Sequence, residues 1–217
     1  MTHLERAIVS ILIGTREQPN RRRAVRTWIV AVVLGGGFYG AIMGSFGGRI
    51  EQMVYSAIKV PILLLATTLL ATPSFFVLNT LAGLRSDFGS AFRAVLGTQA
   101  AIAIVLAVLA PYTAVWYLVS SDYYQASTFN AAMFAIASFT AQWQLRQRYR
   151  ELEVRNRRHA VLRRIWVYFY AFVGIQMGWS LRPFVGDPGR PPVFLRTDTL
   201  GNAYVTIYET IWSAFSR

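Results

Sequence analysis

Residues 28–48 read WIVAVVLGGGFYGAIMGSFGG, an unbroken stretch without a charged side chain. A bilayer core about 30 Å thick is crossed by roughly 20 apolar residues in helical form, so the spacing predicts a transmembrane helix here. Within it Gly36, Gly40, Gly44 and Gly48 recur at every fourth position, with Gly37 and Gly47 beside them. Four glycines on one helical face let another backbone approach closely, and dispersion across that contact replaces the hydrophobic force that lipid does not supply. The face has two readings: a seam to another subunit or a second copy, or packing against the rest of the chain.

Outward from this stretch, further apolar runs over residues 57–82, 94–119, 126–143 and 165–181 bring the expected number of spans to five. Composition agrees, because 54% hydrophobic and 15% charged residues over 217 positions leave more apolar surface than a soluble domain can cover. The expected fold is an all-α polytopic membrane bundle. A basic N-terminal segment (1–27) leads into a five-helix membrane domain (28–181), followed by an external loop and tail (182–217). Two shorter segments have apolar residues at helical spacing and are expected to be interfacial amphipathic helices. They are residues 4–13, with Leu4, Ala7, Ile8, Ile11 and Leu12, and residues 200–215, with Tyr204, Ile207, Tyr208, Ile211, Trp212 and Phe215.

Charge sets the orientation. The net charge of +12 is unevenly placed, since 16 of 22 basic residues fall on one side of the expected topology. Residues 1–27 carry six arginines, and the connection between spans four and five carries Arg146, Arg148, Arg150, Arg155, Arg157, Arg158, Arg163 and Arg164. By the positive-inside rule these lie in the cytoplasm, which puts the N-terminus inside and the C-terminus outside. The same eight arginines are expected to contact anionic headgroups. Nucleic acid is not an expected partner, because Tyr149 alone among the aromatic residues stands among them to stack a base. The use of 21 arginines against one lysine fits a GC-rich bacterial genome and hence a bacterial inner membrane.

Chemistry is sparse. Ionisable groups inside a bilayer mark proton relays and substrate sites, yet no Asp or Glu lies in the central turns of any expected span. Lys59 stands near the outer end of span two, where its stem can reach the headgroups or its amine can pair with Glu51 or Asp122. His3 and His159 fall in cytoplasmic segments, and cysteine is absent, so no catalytic residue, metal ligand or cofactor is expected. Pro61, Pro73 and Pro111 are expected to kink their helices, with Thr67, Thr68 and Thr72 available to the freed carbonyls. Ser127, Asn130, Ala131, Ala135, Ser138 and Ala141 suggest a small and polar face in span four that looks inward or toward a partner, with Gln99, Asn79 and Gln176 as candidates to answer Asn130. In the external loop Trp179, Arg182, Asp187 and Arg190 lie among prolines and glycines, an arrangement that suits a compact turn or a docking loop.

The stretch Lys59, Val60, Pro61, Ile62, Leu63, Leu64, Leu65 through Phe75, Phe76, Val77, Leu78, Asn79 is similar in style to the paired apolar helices of Yip1-domain membrane proteins, and the five-span, N-inside order resembles theirs. The resemblance implies a non-enzymatic membrane organiser with protein partners. The residues alone lead to a compatible reading, a non-catalytic accessory subunit of an inner-membrane complex, in contact with membrane lipids and with other subunits or its own copies. An oligomeric channel for a neutral solute, lined by Ser127, Asn130 and Ser138, is the alternative.

Overall fold

The computed structural model describes residues 21–187 and 189–195. Among them are five long helices: α1 (Arg21–Gly44), α2 (Ile50–Leu81), α3 (Phe88–Val119), α4 (Tyr123–Arg155) and α5 (Arg158–Ser180). Short 3-10 turns at Phe46–Gly48 and Arg85–Asp87 join α1 to α2 and α2 to α3. The expected interfacial helices at 4–13 and 200–215 lie outside the described residues.

Three of the helices, over Arg22–Gly44, Ile50–Leu81 and Arg85–Val119, are long and apolar enough to cross a membrane. The other two have the length but not the composition. Gln125, Asn130, Gln142 and Gln144 dilute α4, and α5 opens on Arg158, His159, Arg163 and Arg164. The five expected apolar runs are thus five helices, of which three meet the requirement for a span.

Local chemistry explains the boundaries. Gly47 and Gly48 turn the chain between α1 and α2 at φ +77° and +70°, a conformation that side chains with a Cβ adopt only under strain. Gly48 therefore lies beyond the helix, and the expected run of four helical glycines is three. Gly83, at φ +75°, ends α2, and the Leu84 amide reaches back to the Asn79 carbonyl at 2.8 Å, the hydrogen bond of a glycine-terminated helix. Asp122 caps α4 by accepting from the Gln125 amide at 2.7 Å, and Asn156 accepts from the Arg158 amide at 3.0 Å to start α5. The arginine-rich stretch 144–164 is accordingly a helical hairpin broken at Asn156, and not the open connection expected from its charge. The three prolines leave α2 and α3 continuous. Thr68 and Thr72 donate to the Leu64 and Thr68 carbonyls at 2.9 and 2.6 Å, whereas the carbonyls that Pro61 and Pro73 leave without an amide belong to Ala57 and Leu69.

α1 is the wedge of the bundle, packed between α2 and α3; α4 leans on α3, and α5 leans chiefly on α2. The glycines create this arrangement. A Cβ on Gly36 would meet Pro61 and Val60, one on Gly40 would collide with the Ser56 carbonyl, and one on Gly44 would lie 2.5 Å from the Gln52 carbonyl. On an adjacent face of α1, a Cβ on Gly35 would come within 2.8 Å of the Ala103 carbonyl on α3. The glycine face is thus covered by α2 of the same chain. Two apolar clusters complete the core. One joins α1, α2, α3 and α4 around Val32, Leu64, Leu106 and Ala137, and the other gathers Phe75, Val95, Leu145 and Trp166 toward the arginine-rich end.

Overpacking a tight contact typically costs about 1–3 kcal/mol, and backbone that must move adds to it. Gly40→Ala and Gly44→Ala should therefore lower the thermal midpoint of the purified protein in detergent. Gly37→Ala, whose Cβ would meet only the Ala57 carbonyl at 3.5 Å, should leave it unchanged or raise it. Equal midpoints for all three variants would contradict the close α1–α2 approach.

Candidate functional site: an interhelical cavity and its polar surroundings

Two groups of buried polar side chains are spent on one another and on backbone carbonyls. Asn130, fully buried on α4, accepts from the Tyr39 hydroxyl at 2.8 Å and donates to the Tyr117 hydroxyl at 2.6 Å and to the Ala126 carbonyl at 2.8 Å. Tyr117 in turn donates to the Met43 carbonyl at 3.0 Å. This network ties α1, α3 and α4 together near one end of the bundle. Its members differ from the expected ones: Gln99, Asn79 and Gln176 do not reach Asn130. The buried face of α4 is Ala126, Asn130, Met133, Ala137 and Ala141. Ser127 and Ser138 flank that face, and Ala131 and Ala135 are exposed, so of the expected stripe Asn130 and Ala141 lie on the buried face. Asn130 is thus closed between two tyrosines.

A second network lies under the loop after α5. Gln52, Ser56 and Lys59 are all buried on one face of α2. The Lys59 ammonium donates to the Pro183 carbonyl at 2.7 Å and sits 5.1 Å from the Phe194 ring centre and 5.9 Å from that of Phe184. Gln52 donates to the Pro183 and Phe184 carbonyls at 3.2 and 3.0 Å, and Ser56 also donates to Phe184. Lys59 therefore neither reaches out to the headgroups nor pairs with Glu51 or Asp122; the loop covers it. A buried cation needs carbonyl and aromatic partners to offset its lost hydration, and this segment supplies both. In the loop, Asp187 pairs with Arg190 at 3.5 Å and accepts from the Gly189 amide at 3.0 Å, while Arg182 stacks 3.4 Å above the Trp179 ring. The turn expected from its prolines and glycines is thus compact, with one of its two arginines on Asp187.

At the opposite end, the α4–α5 hairpin is anchored to the bundle. His159, fully buried, contacts the Asp87 carboxylate at 3.1 Å, Arg163 pairs with Glu153 at 2.7 Å, and Arg158 donates to the Ala82 carbonyl at the end of α2 at 3.1 Å. Arg148 stacks over Trp28 at 5.7 Å. Burial pulls Arg148 below the ordinary arginine value and pushes the Tyr149 phenol above its own. Of the eight arginines expected to face headgroups, Arg148 and Arg163 are partly turned inward, and Arg146, Arg150, Arg155, Arg157, Arg158 and Arg164 are exposed.

Between α2, α3, α4 and α5, on the side away from α1, lies a cavity of about 290 Å³. Leu64, Ile102, Phe134, Trp166 and Val167 make its walls largely apolar, and Thr67, Gln99, Ser138, Gln142 and Tyr170 place polar atoms along them. No lining residue is charged. Gln99 and Thr67 are each 2% exposed, and the Gln99 Oε1 and Thr67 Oγ1 atoms have no hydrogen-bond partner. A buried acceptor left unpaired costs about 1–3 kcal/mol. Ser138 was legible in the sequence as part of a polar face. Gln99 was named too, as a partner for Asn130, but the register that turns it toward α5 becomes visible only once α1 occupies the other side of α3. Comparison with protein-family models, with curated proteins and with solved structures yields no match.

Asn130→Leu removes the partner of two tyrosine hydroxyls inside the bundle, at a cost of about 1–3 kcal/mol. The variant should show a lowered thermal midpoint in detergent, and Asn130→Leu combined with Tyr39→Phe should recover part of the loss. A double variant no more stable than the single one would contradict the network.

Proposed function

We propose that the chain is a non-catalytic, five-span protein of the bacterial inner membrane, with its N-terminus inside, that holds one small neutral amphipathic molecule in the cavity between α2, α3, α4 and α5. The observation that carries this reading is the pair of unpartnered polar atoms, Gln99 Oε1 and Thr67 Oγ1, on residues that line a largely apolar cavity. Ligand sites in proteins share that design: apolar walls with a few placed polar groups. The lining carries no charge to match an ionic guest, and Gln99 Oε1 calls for a donor, so a hydroxyl or N–H on an apolar body is the complementary chemistry. α4 and α5 touch each other only lightly, which makes the seam between them the entry from the bilayer. The expected role of an accessory subunit remains compatible, with the held molecule as what the subunit contributes.

Five spans rest on helix length and on charge. α4 and α5 are 33 and 23 residues long, enough at 1.5 Å per residue to cross the core, and Asn130 and Gln144, two of the residues that dilute the apolar character of α4, are buried in the bundle. The basic ends of α1, α3 and the α4–α5 hairpin fall at one end, the end that the positive-inside rule assigns to the cytoplasm.

Because the chain has no cysteine, single substitutions report topology without a background. In intact cells Ser121→Cys should react with an impermeant maleimide, and Ser86→Cys and Asn156→Cys should react only after permeabilisation. Labelling of Ser86→Cys and Asn156→Cys on opposite sides of the membrane would contradict five spans.

The cavity reading makes a signed prediction for Gln99→Leu. In an empty bundle the substitution removes an unpaired buried acceptor and should leave the midpoint unchanged or raise it. With a guest bound it removes the guest's partner and should lower the midpoint of the protein as purified. Native mass spectrometry should find one small molecule per wild-type chain and less in the variant. A wild-type chain with no retained molecule, together with a raised midpoint in Gln99→Leu, would overturn the reading.

A further inference from the structure

The start of α1 and the start of α3 run side by side at the basic end of the bundle, and a groove of about 560 Å³ separates them. Its walls change character along its length. Arg22, Arg26 and Arg93 line it together with Val25, Ile29, Val30 and Phe92, so that three arginines border largely apolar walls. On α1 the order follows helical spacing: Arg22 and Arg26 are one turn apart, and Ile29 and Val30 continue the same face deeper into the bundle. On α3, Gly89 leaves room where a side chain would narrow the groove, and Arg93 is steadied by a hydrogen bond to the Ser90 hydroxyl at 2.9 Å. No acidic residue is among the eight that line it.

We propose that this groove is a binding site for one anionic glycerophospholipid, with its phosphate among Arg22, Arg26 and Arg93 and an acyl chain along Ile29, Val30 and Phe92. The inference needs only that the bundle lies in a membrane and is independent of the cavity between α2 and α5. Guanidinium groups match phosphate oxygens with paired N–H donors. Basic pockets between helices at the headgroup level recognise anionic lipids in this way. Charge complementarity selects the lipid class, because a zwitterionic headgroup brings its own cation toward three others. The apolar wall separates a lipid from a free phosphate: an inorganic ion would satisfy the arginines and leave Ile29, Val30 and Phe92 uncovered.

The site differs from the diffuse attraction expected of the α4–α5 hairpin, and the experiment exploits the difference. The full chain, purified in a mild detergent, is mixed with phosphatidylglycerol or phosphatidylcholine of matched chain length and followed by native mass spectrometry under rising activation. Wild type should retain one phosphatidylglycerol under conditions that strip phosphatidylcholine. The groove variant Arg22→Gln/Arg26→Gln/Arg93→Gln should retain it at least about tenfold less. The comparator Arg146→Gln/Arg150→Gln/Arg157→Gln, which removes as many exposed arginines from the hairpin, should behave as wild type. Ile29→Trp keeps every arginine but fills the apolar part of the groove, so it should also lose the lipid. Equal loss in the groove and hairpin charge variants would overturn the proposal in favour of diffuse attraction. Retention that survives both groove variants would overturn it by giving the groove to another segment of the chain or to a second copy. Inorganic phosphate that displaces the lipid without loss in Ile29→Trp would overturn the acyl contact and leave an ion site.

Discussion

The close approach of α1 to α2 and α3 is the contact on which the rest of the bundle depends. Gly36, Gly40 and Gly44 bring the α2 backbone against one face of α1, and Gly35 does the same for α3 on another. In lipid, helices gain little from hiding apolar side chains, so backbone proximity and interhelical hydrogen bonds have to hold them together. Once α1 is wedged between α2 and α3, the opposite sides of those helices diverge, and α4 and α5 close the space that remains. The cavity is therefore a geometric consequence of a thin α1.

Polar groups divide into those that the bundle consumes and those that it leaves over. Tyr39, Tyr117 and Asn130 satisfy one another and fasten α4, and Gln52, Ser56 and Lys59 fasten the loop after α5. His159 with Asp87 and Arg163 with Glu153 fasten the hairpin. Other buried polar atoms also go without a hydrogen bond, among them Asn79 Oδ1, Thr113 Oγ1 and Gln144 Oε1; Gln99 Oε1 and Thr67 Oγ1 are the ones whose residues line the cavity, where a bound molecule could supply the partner.

Helix number and order were legible because long apolar runs report helices directly, and Gly36, Gly40 and Gly44 of the repeat face α2. The direction of the repeat was not legible, since a small-residue face fits a partner and a neighbour equally well until the neighbour's Ser56 and Gln52 carbonyls are placed against it. Gly48 was misplaced because spacing alone does not reveal that Gly47 has left the helical conformation. The partners of Asn130 were missed for a related reason: tyrosine near a helix end suits an interfacial belt, and only the α1–α3 register brings the Tyr39 and Tyr117 hydroxyls inward. Lys59 posed the opposite problem. A lysine near a membrane boundary reads as one that reaches water, and the carbonyl that covers it comes from residue 183, 124 positions away. The arginine-rich hairpin read as a loop because charge conceals the helical spacing of Leu145, Tyr149 and Leu152, which bury its inner side.

The central claim is that the cavity is occupied in the membrane. The most direct measurement is an experimental structure of the wild-type chain in a lipidic mesophase, inspected between Gln99, Thr67 and Tyr170. The account expects one discrete, elongated feature within hydrogen-bond distance of Gln99 Oε1. A cavity collapsed by contact of α4 and α5, or filled only by water bridging Gln99 to Thr67, would contradict it.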